Sequence, residues 1–308
     1  MSSSLVWGCD PTLQYESSWI RFLFQGKYSS EFSIDNSSEL LSHFSTNHHI
    51  FLIESGLNRL RKSISAQQLE DHDRSRERRL QLFGKFRVSI IHLSDEEGLD
   101  GDSFYSKLAP GTTIYRNFFH KRFSRLDLNI YSFPIGPRDI FLPPFTHSNS
   151  YELVSREYPW AFMGTLWTSG SRNVAVSNFL RSLPEGYYYG GKSFGQGLPL
   201  VDYRNILLNS HFALAPEGDR HLDTFRLWES LCCGCIPVVV DSENTVHDLL
   251  PNYPLPIYSS WHTAMKDVQD VIWNSPSSLP MLHHQSQEWW LSHIALLRSK
   301  ISNHSSDS

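Results

Sequence analysis

The chain has 308 residues, 40% hydrophobic and 19% charged, with 27 basic against 32 acidic side chains and a formal net charge of −5. That length and balance describe a globular protein large enough for two domains, and the acidic balance speaks against a nucleic-acid binder, which needs a basic surface. The N-terminal MSSSLVWGCDP has no basic segment followed by a long apolar run, and no apolar stretch approaches the roughly 20 residues of a membrane span. The expectation is a cytoplasmic protein with no transmembrane segment and at most peripheral membrane contact. The four cysteines are Cys9, Cys232, Cys233 and Cys235. Three of them crowd one apolar segment without partner histidines at metal-binding spacing, so they read as buried thiols rather than a disulfide framework or a metal site.

Residues 1–55 are weakly patterned. Short apolar runs predict strands at 19–24 and 49–53, and a helix at 37–44 capped by Ser37 or Ser38. Helices are predicted at 57–64 and 66–83, the second carrying the mixed-charge run EDHDRSRERR as a solvated face. Asp71 and Asp73, and again Asp100 and Asp102, form D-x-D pairs, a pattern too common to argue for a metal. FRVSIIHL, residues 86–93, is a buried strand that runs straight into SDEEGLDGD. Acids at the carboxyl end of a parallel strand face the ligand crevice of an open sheet. Asp95, Glu96 and Glu97 are therefore candidate general bases, with Glu96 favoured, and His92 is a core histidine. Strands follow at 112–119 and 128–133, and Arg116, near the end of the first, is placed on the acceptor side of the crevice.

The proline- and serine-rich FLPPFTHSNS is the expected linker. It divides the chain into residues 1–144, residues 145–284 and a terminal helix with a tail, 285–308, that crosses back. YPWAFMG (158–164) opens the second part as a strand, and SGSR starts a helix that runs to Leu183 and carries Arg172 in its first turn. A strand at 186–189 and a helix at 202–209 follow. The intervening GGKSFGQG lacks the spacing of a phosphate loop.

Residues 205–241, NILLNSHFALAPEGDRHLDTFRLWESLCCGCIPVVVD, are the most informative stretch. They read as strand, polar loop, helix from Asp223 or Thr224 to Cys233, and second buried strand, a crossover unit of a parallel sheet. The loop from Pro216 through Gly218 to Asp223, with Thr224 after it, falls at a helix N-terminus, whose free N–H groups and partial positive charge suit a phosphate. Arg226 and Glu229 share one helical face. The arginine suits a pyrophosphate, and the glutamate one turn later suits a ribose diol. Beyond this unit, helices are predicted at 242–250, 261–273 and 285–302.

The ordered set Ser210, Phe212, Leu214, Pro216, Gly218, Thr224, Arg226, Glu229, Ser230, Leu231, Gly234, Ile236, Pro237, Val238 and Val239 resembles the nucleotide-sugar half of exostosin-type glycosyltransferases. VSIIHLSDE with Tyr115, Arg116 and Asn117, and SFPIG at 132–136, is similar to the ribitol xylosyltransferase branch of that family. The two matches together span about 86–240. The resemblance implies an α/β protein of GT-B type, two Rossmann-like domains facing an interdomain cleft. It implies an inverting transfer of a sugar, such as xylose or glucuronic acid, from a UDP-linked donor to a glycan or ribitol-phosphate-type acceptor in polysaccharide biosynthesis, with no obligatory metal. It also places Gly164 and Arg172 beside the donor phosphates and Arg226 and Glu229 on the donor. The alternatives are a fucosyltransferase-like enzyme using a GDP-sugar, whose Y-x-T-E-K signature is absent here, a non-catalytic sugar-binding module, and another sugar-nucleotide enzyme such as an epimerase.

Overall fold

The computed structural model describes residues 2–34, 41–45, 47–56, 65–96, 104–142, 155–166, 170–191, 197–218, 220–241 and 246–306. The chain forms two compact units, one of Met1–Ile135 with Leu296–Ser308 and the other of Gly136–Ala295. Among the described residues no helix is long and apolar enough to cross a membrane.

Unit 1 is built on six strands, β1 (Ser3–Trp7), β2 (Ser30–Ser33), β3 (His49–Ser55), β4 (Arg87–Leu93), β5 (Thr113–Arg116) and β6 (Asn129–Ser132), in the order β2-β1-β3-β4-β5-β6. Every pairing is parallel. A parallel sheet needs cover on both faces, so its central strands are apolar on both sides. Val6, Ile50, Leu52, Ile90 and Ile114 pack on one face with Phe83, Phe104 and Phe123. Phe51, on the other face, meets Phe24 edge-on at 4.8 Å. Phe24 belongs to α1 (Ser17–Phe24), and Phe83 ends α2 (Ala66–Phe83), whose first turn is closed by a Ser65–Gln68 capping box.

Two expectations for this unit change. Residues 19–24 are helical, because Trp19, Ile20, Leu23 and Phe24, the four buried positions, recur at helical rather than alternating spacing. β1 and β2 are further differences: β1 has an apolar run of only three residues, Leu5, Val6 and Trp7, and β2 has only Phe32. Ser3 and Ser4 are buried in β1 because their hydroxyls bond to Lys27 O and to His48 and Ser30. The predicted helix at 57–64, and Asp100 with Asp102, lie outside the described residues. So does the linker from 143 onward, and the unit boundary at Ile135 and Gly136 precedes it.

Unit 2 carries β7 (Tyr158–Thr165), β8 (Tyr187–Gly191), β9 (Ser210–Leu214) and β10 (Ile236–Val238) in the parallel order β10-β9-β7-β8. Pro237 is tolerated because β10 is an edge strand, where a missing N–H leaves no ladder bond unmade. The helices are α3 (Ser171–Ser182), α4 (Leu200–Leu208), α5 (Phe225–Cys232), α6 (Trp261–Asn274) and the first part of α7 (Leu279–Ser306), whose residues from Leu296 onward belong to unit 1. Trp160, Phe162, Phe212 and Leu214 face Phe179, Trp261 and Met265 on one side of the sheet. Met163 and Ala213 face Tyr203, Leu207 and Cys233 on the other. Gly234, at φ +65°, ends α5 in the left-handed conformation that favours glycine.

All four cysteines are free. Burial pushes the Cys232 and Cys233 thiols up, and that of Cys235 up to about 12, so all three stay protonated at neutral pH. Among the described residues no three His, Cys, Asp or Glu side chains gather as a metal site.

His211 of β9 and His283 of α7 form a directed pair. His283 Nδ1 donates to Gly234 O at 2.7 Å, which leaves its Nε2 as the acceptor for His211 Nδ1 at 3.1 Å. Burial, and then the Arg156 charge, lowers His211 to about 4 and His283 to about 3. Both values lie below the ordinary 6.5 of an unfolded histidine. The neutral pair therefore contributes its full stability above pH 6.5 and loses it as pH falls toward 4. Both rings are partly exposed, so the loss is on the order of 1 kcal/mol. Thermal melts are expected to be flat from pH 8 to 7 and to fall by a few degrees between pH 6.5 and 4.5, less steeply in His211→Gln. An unchanged midpoint through pH 4.5 contradicts the assignment.

Candidate functional site

In unit 2 the loops that leave the carboxyl ends of β7 and β9 meet the first turns of α3 and α5. Arg172, buried in the first turn of α3, ties the two loops together. Its Nε donates to Glu217 O at 3.0 Å and its Nη1 to Thr165 O at 2.9 Å. Gly218 N donates to His221 O at 2.7 Å and turns the second loop toward α5.

Neither helix is closed by a side-chain cap. Gly170 has no side chain to offer α3, and the N-cap residue Thr224 makes no capping bond at α5. Free N–H groups at a helix start are an anion site in waiting. Among the described residues, three buried polar atoms here have no hydrogen-bond partner: Ser171 Oγ, Thr224 Oγ1 and Arg226 Nε. Thr224 as a whole is 9% exposed. A buried hydroxyl left unpaired costs roughly 1–3 kcal/mol, a penalty that a bound ligand removes.

Arg226 lies across the Phe162 ring, 4.8 Å from its centroid, with Nη1 3.5 Å from Pro216 O. Gly164 is the seat of that guanidinium, because a Cβ there would stand 2.6 Å from Arg226 Nη2. Burial lowers Arg226 from its ordinary value, while Tyr203 and Glu229 act in the opposite direction. The structure thus brings Gly164, Arg172, Pro216, Gly218, Thr224 and Arg226 into one region of unit 2.

Glu229 is placed differently from expectation. It is 1% exposed, and both of its oxygens accept from Arg138, from Nε at 2.5 Å and from Nη2 at 3.0 Å. Arg138 keeps 28% of its side chain exposed and lies over the Tyr203 ring. The group this pair offers outward is the arginine, not the carboxylate. Sequence reasoning missed Arg138 because 91 residues separate it from Glu229 and no local pattern links them.

In unit 1 the acids after β4 separate. Asp95 is 1% exposed and accepts from Arg116 Nη2 at 2.8 Å. Arg116 is itself fully buried, stacked on Phe123 at 4.3 Å and donating to the Tyr105 hydroxyl at 3.0 Å. These two expectations are corrected: Arg116 reaches into the core rather than the crevice, and Asp95 is held as its counter-ion. His92 is likewise interior, with Nδ1 2.7 Å from Tyr105 OH. Glu96 is half-buried, and its carbonyl lies 3.2 Å from His120 Nε2. His120, which the sequence did not single out, is lowered by burial and then by Arg116, so it is neutral at pH 7. Glu97 lies outside the described residues. Ser94 and Phe118, at the ends of β4 and β5, take φ of +59° and +50°. Non-glycine residues hold that conformation only under constraint, and such strain clusters at functional edges.

No protein-family profile matches the chain, and no curated protein sequence does. Among solved structures it is similar to a DNA-modifying β-glucosyltransferase, determined in the presence and absence of its substrate uridine diphosphoglucose. Identity is 11%, the match covers 99% of this chain and 98% of that one, and the TM-score is 0.54. An α1,3-fucosyltransferase matches at 12% identity over 98% of this chain and 90% of that one, with a TM-score of 0.46. The likeness to the glucosyltransferase establishes the fold, a mixed α/β chain of two Rossmann-like units of GT-B type.

The Glu229–Arg138 pair predicts an asymmetry. Arg138→Ala leaves a buried, uncompensated carboxylate and should destabilise by about 3 kcal/mol. Glu229→Gln leaves an arginine that can turn to water and should cost about 1 kcal/mol. Urea unfolding of the two variants checks this, and equal losses contradict it.

Proposed function

We propose that the chain is an inverting glycosyltransferase of exostosin-like kind, nearest in character to the ribitol xylosyltransferases, acting on a UDP-sugar. The observation that carries the reading is the set of uncapped helix N-termini in unit 2 beside the unmatched Ser171, Thr224 and Arg226 groups, on a fold shared with a glucosyltransferase.

In this reading the diphosphate lies at the starts of α3 and α5. The helix N–H groups, the Thr224 and Ser171 hydroxyls and Arg226 accept the negative charge that develops as the bond from the anomeric carbon to the β-phosphate oxygen breaks. The electron pair leaves with the nucleoside diphosphate. The acceptor hydroxyl attacks the opposite face of the anomeric carbon, and its proton passes to a carboxylate of unit 1. Glu96 is the favoured base with Glu97 as the alternative, since Asp95 is committed to Arg116. Arg172 positions the Thr165 and Glu217 loops, and Glu229 acts on the donor through Arg138, which it aims. Xylose or glucuronic acid as the donor sugar, and a glycan or polyol phosphate as the acceptor, follow from the same family likeness.

Thermal-shift titrations with UDP, GDP, CDP and ADP, with and without magnesium, test the donor. A ligand bound only by the native state raises the midpoint. UDP is expected to do so without magnesium, and Arg226→Ala to abolish the shift. A response to GDP alone would replace the reading with a fucosyltransferase-like one, and no response to any nucleotide would remove it. Glu96→Gln should keep the UDP shift and lower the turnover number by about a hundredfold or more. Normal turnover would exclude Glu96 as the base.

A further inference from the structure

In unit 2 the paired strands β7 and β8 carry two glycines side by side near their carboxyl ends. Phe162 pairs with Tyr188, and Gly164 with Gly190, in the parallel register. Register partners point to the same face of a sheet, and so do residues two apart on one strand. All four positions therefore share one face. It is the face on which Val176 and Phe179 of α3 pack with Phe162.

On each strand an aromatic ring leans toward the carboxyl end, over the glycine. Phe162 Cζ lies 3.5 Å from where a Cβ of Gly164 would stand, and the Tyr188 hydroxyl occupies the space that a Cβ of Gly190 would fill. The two rings stack with centroids 6.4 Å apart and planes at 21°. Arg226 crosses the Phe162 ring and brings Nη2 to 2.6 Å from the Gly164 Cβ position. Gly164 thus seats a guanidinium and Gly190 a phenol hydroxyl. Neighbouring strands lie about 4.8 Å apart, so the two polar tips stand roughly one strand spacing from each other.

Packing accounts for the rings but not for the hydroxyl. Phe162 covers its glycine on this face without one. Tyr188 is 36% exposed, and its hydroxyl makes no hydrogen bond to a described residue. A second observation falls at the same end of the sheet. α3 connects β7 to β8, and Ser171, its first residue, holds a buried Oγ with no partner among the described residues.

We infer that Tyr188 is a further phosphate-binding residue, its hydroxyl donating to the same phosphoryl group that Arg226 holds. A phosphoryl group presents oxygens on several sides, so donors one strand spacing apart both reach it at ordinary lengths of about 2.7–3.0 Å. A hydroxyl that donates to an anionic oxygen makes a charge-assisted bond, stronger than one to a neutral acceptor. Gly190 is required because any side chain there displaces the hydroxyl. The inference rests on the proposed donor site and adds to it a residue that neither helix start supplies.

Isothermal titration of the full chain with UDP and with inorganic pyrophosphate tests it. Tyr188→Phe keeps the ring over Gly190 and removes only the hydroxyl. It is expected to weaken both ligands roughly tenfold, the worth of one hydrogen bond to a charged group. Without ligand its melting midpoint should stay within about one degree of wild type. Gly190→Ala moves only the far end of the Tyr188 side chain and is expected to weaken both ligands as well. Wild-type affinity in Tyr188→Phe overturns the assignment and leaves the transferase reading in place. Weakening of UDP alone puts the hydroxyl on the nucleoside and equally overturns the phosphate assignment. A wild-type chain that binds neither ligand removes the donor site itself, and this residue with it.

Discussion

A carboxylate taken out of water must be answered by a cation, and that requirement shapes both units. Glu229, Asp95 and Glu54 are all essentially without solvent contact, and each is met by an arginine in hydrogen-bonding geometry. Removing the arginine from such a pair, which leaves the carboxylate buried and unanswered, costs about 3–5 kcal/mol, a sizeable share of the stability of a whole domain. The planar guanidinium makes two bonds at once and so fixes direction as well as distance. Each pair therefore sets the position of a segment at the carboxyl edge of a parallel sheet: the Arg138 segment in unit 2, the turn after β4 and the end of β3 in unit 1.

Helix starts differ along the chain. Ser65 closes α2 with a reciprocal capping box and Ser260 caps α6, whereas α1, α3, α4 and α5 have no side-chain cap bond. At α5 the cap bond is missing although Thr224 is the N-cap residue, and at α3 the N-cap is Gly170; the hydroxyls of Thr224 and of Ser171, the first residue of α3, are unmatched. A cap is worth about 1 kcal/mol. Two helices that forgo it, beside an arginine seated over a glycine, leave buried polar atoms without a partner among the described residues, which is the ground of the proposed donor site.

The crossover unit around 205–241 was legible because its apolar runs, its glycine after the helix and its residue spacing all agree on one local structure. The same consistency placed Thr224 and Arg226 at the start of the helix, whereas Gly164 was singled out through the family resemblance alone. Residues 19–24 misled because Trp19, Ile20, Leu23 and Phe24 fit a short apolar run as well as a helical face, and only packing against Phe51 decides between them. β1 was hard to read because its apolar run is only Leu5, Val6 and Trp7 and its buried serines are satisfied by residues more than 20 positions away. The same limit hid the roles of the charges. Asp95 looks like its neighbour Glu96 in sequence, and what separates them is an arginine 21 residues on. Arg138 carries no signal at all until the fold brings it to Glu229.

That last pairing bears on how a charge can serve a ligand without touching it. A glutamate buried to 1% cannot present its oxygens to a ribose, yet it need not. By taking both bonds along one edge of the guanidinium it removes the torsional freedom of Arg138, whose side chain would otherwise lose roughly 2 kcal/mol of rotamer entropy on meeting an anion. The Phe141 and Tyr203 rings, 5.9 and 5.4 Å from the guanidinium carbon, restrict the same group from other sides. The partly exposed edge of Arg138 is thus held in place before any ligand arrives. In the proposed transferase such a donor stabilises developing charge effectively, because no reorganisation remains for the moment of reaction. A lysine at 138 would keep the charge and lose the geometry, since a single ammonium cannot be clamped on one edge and present another.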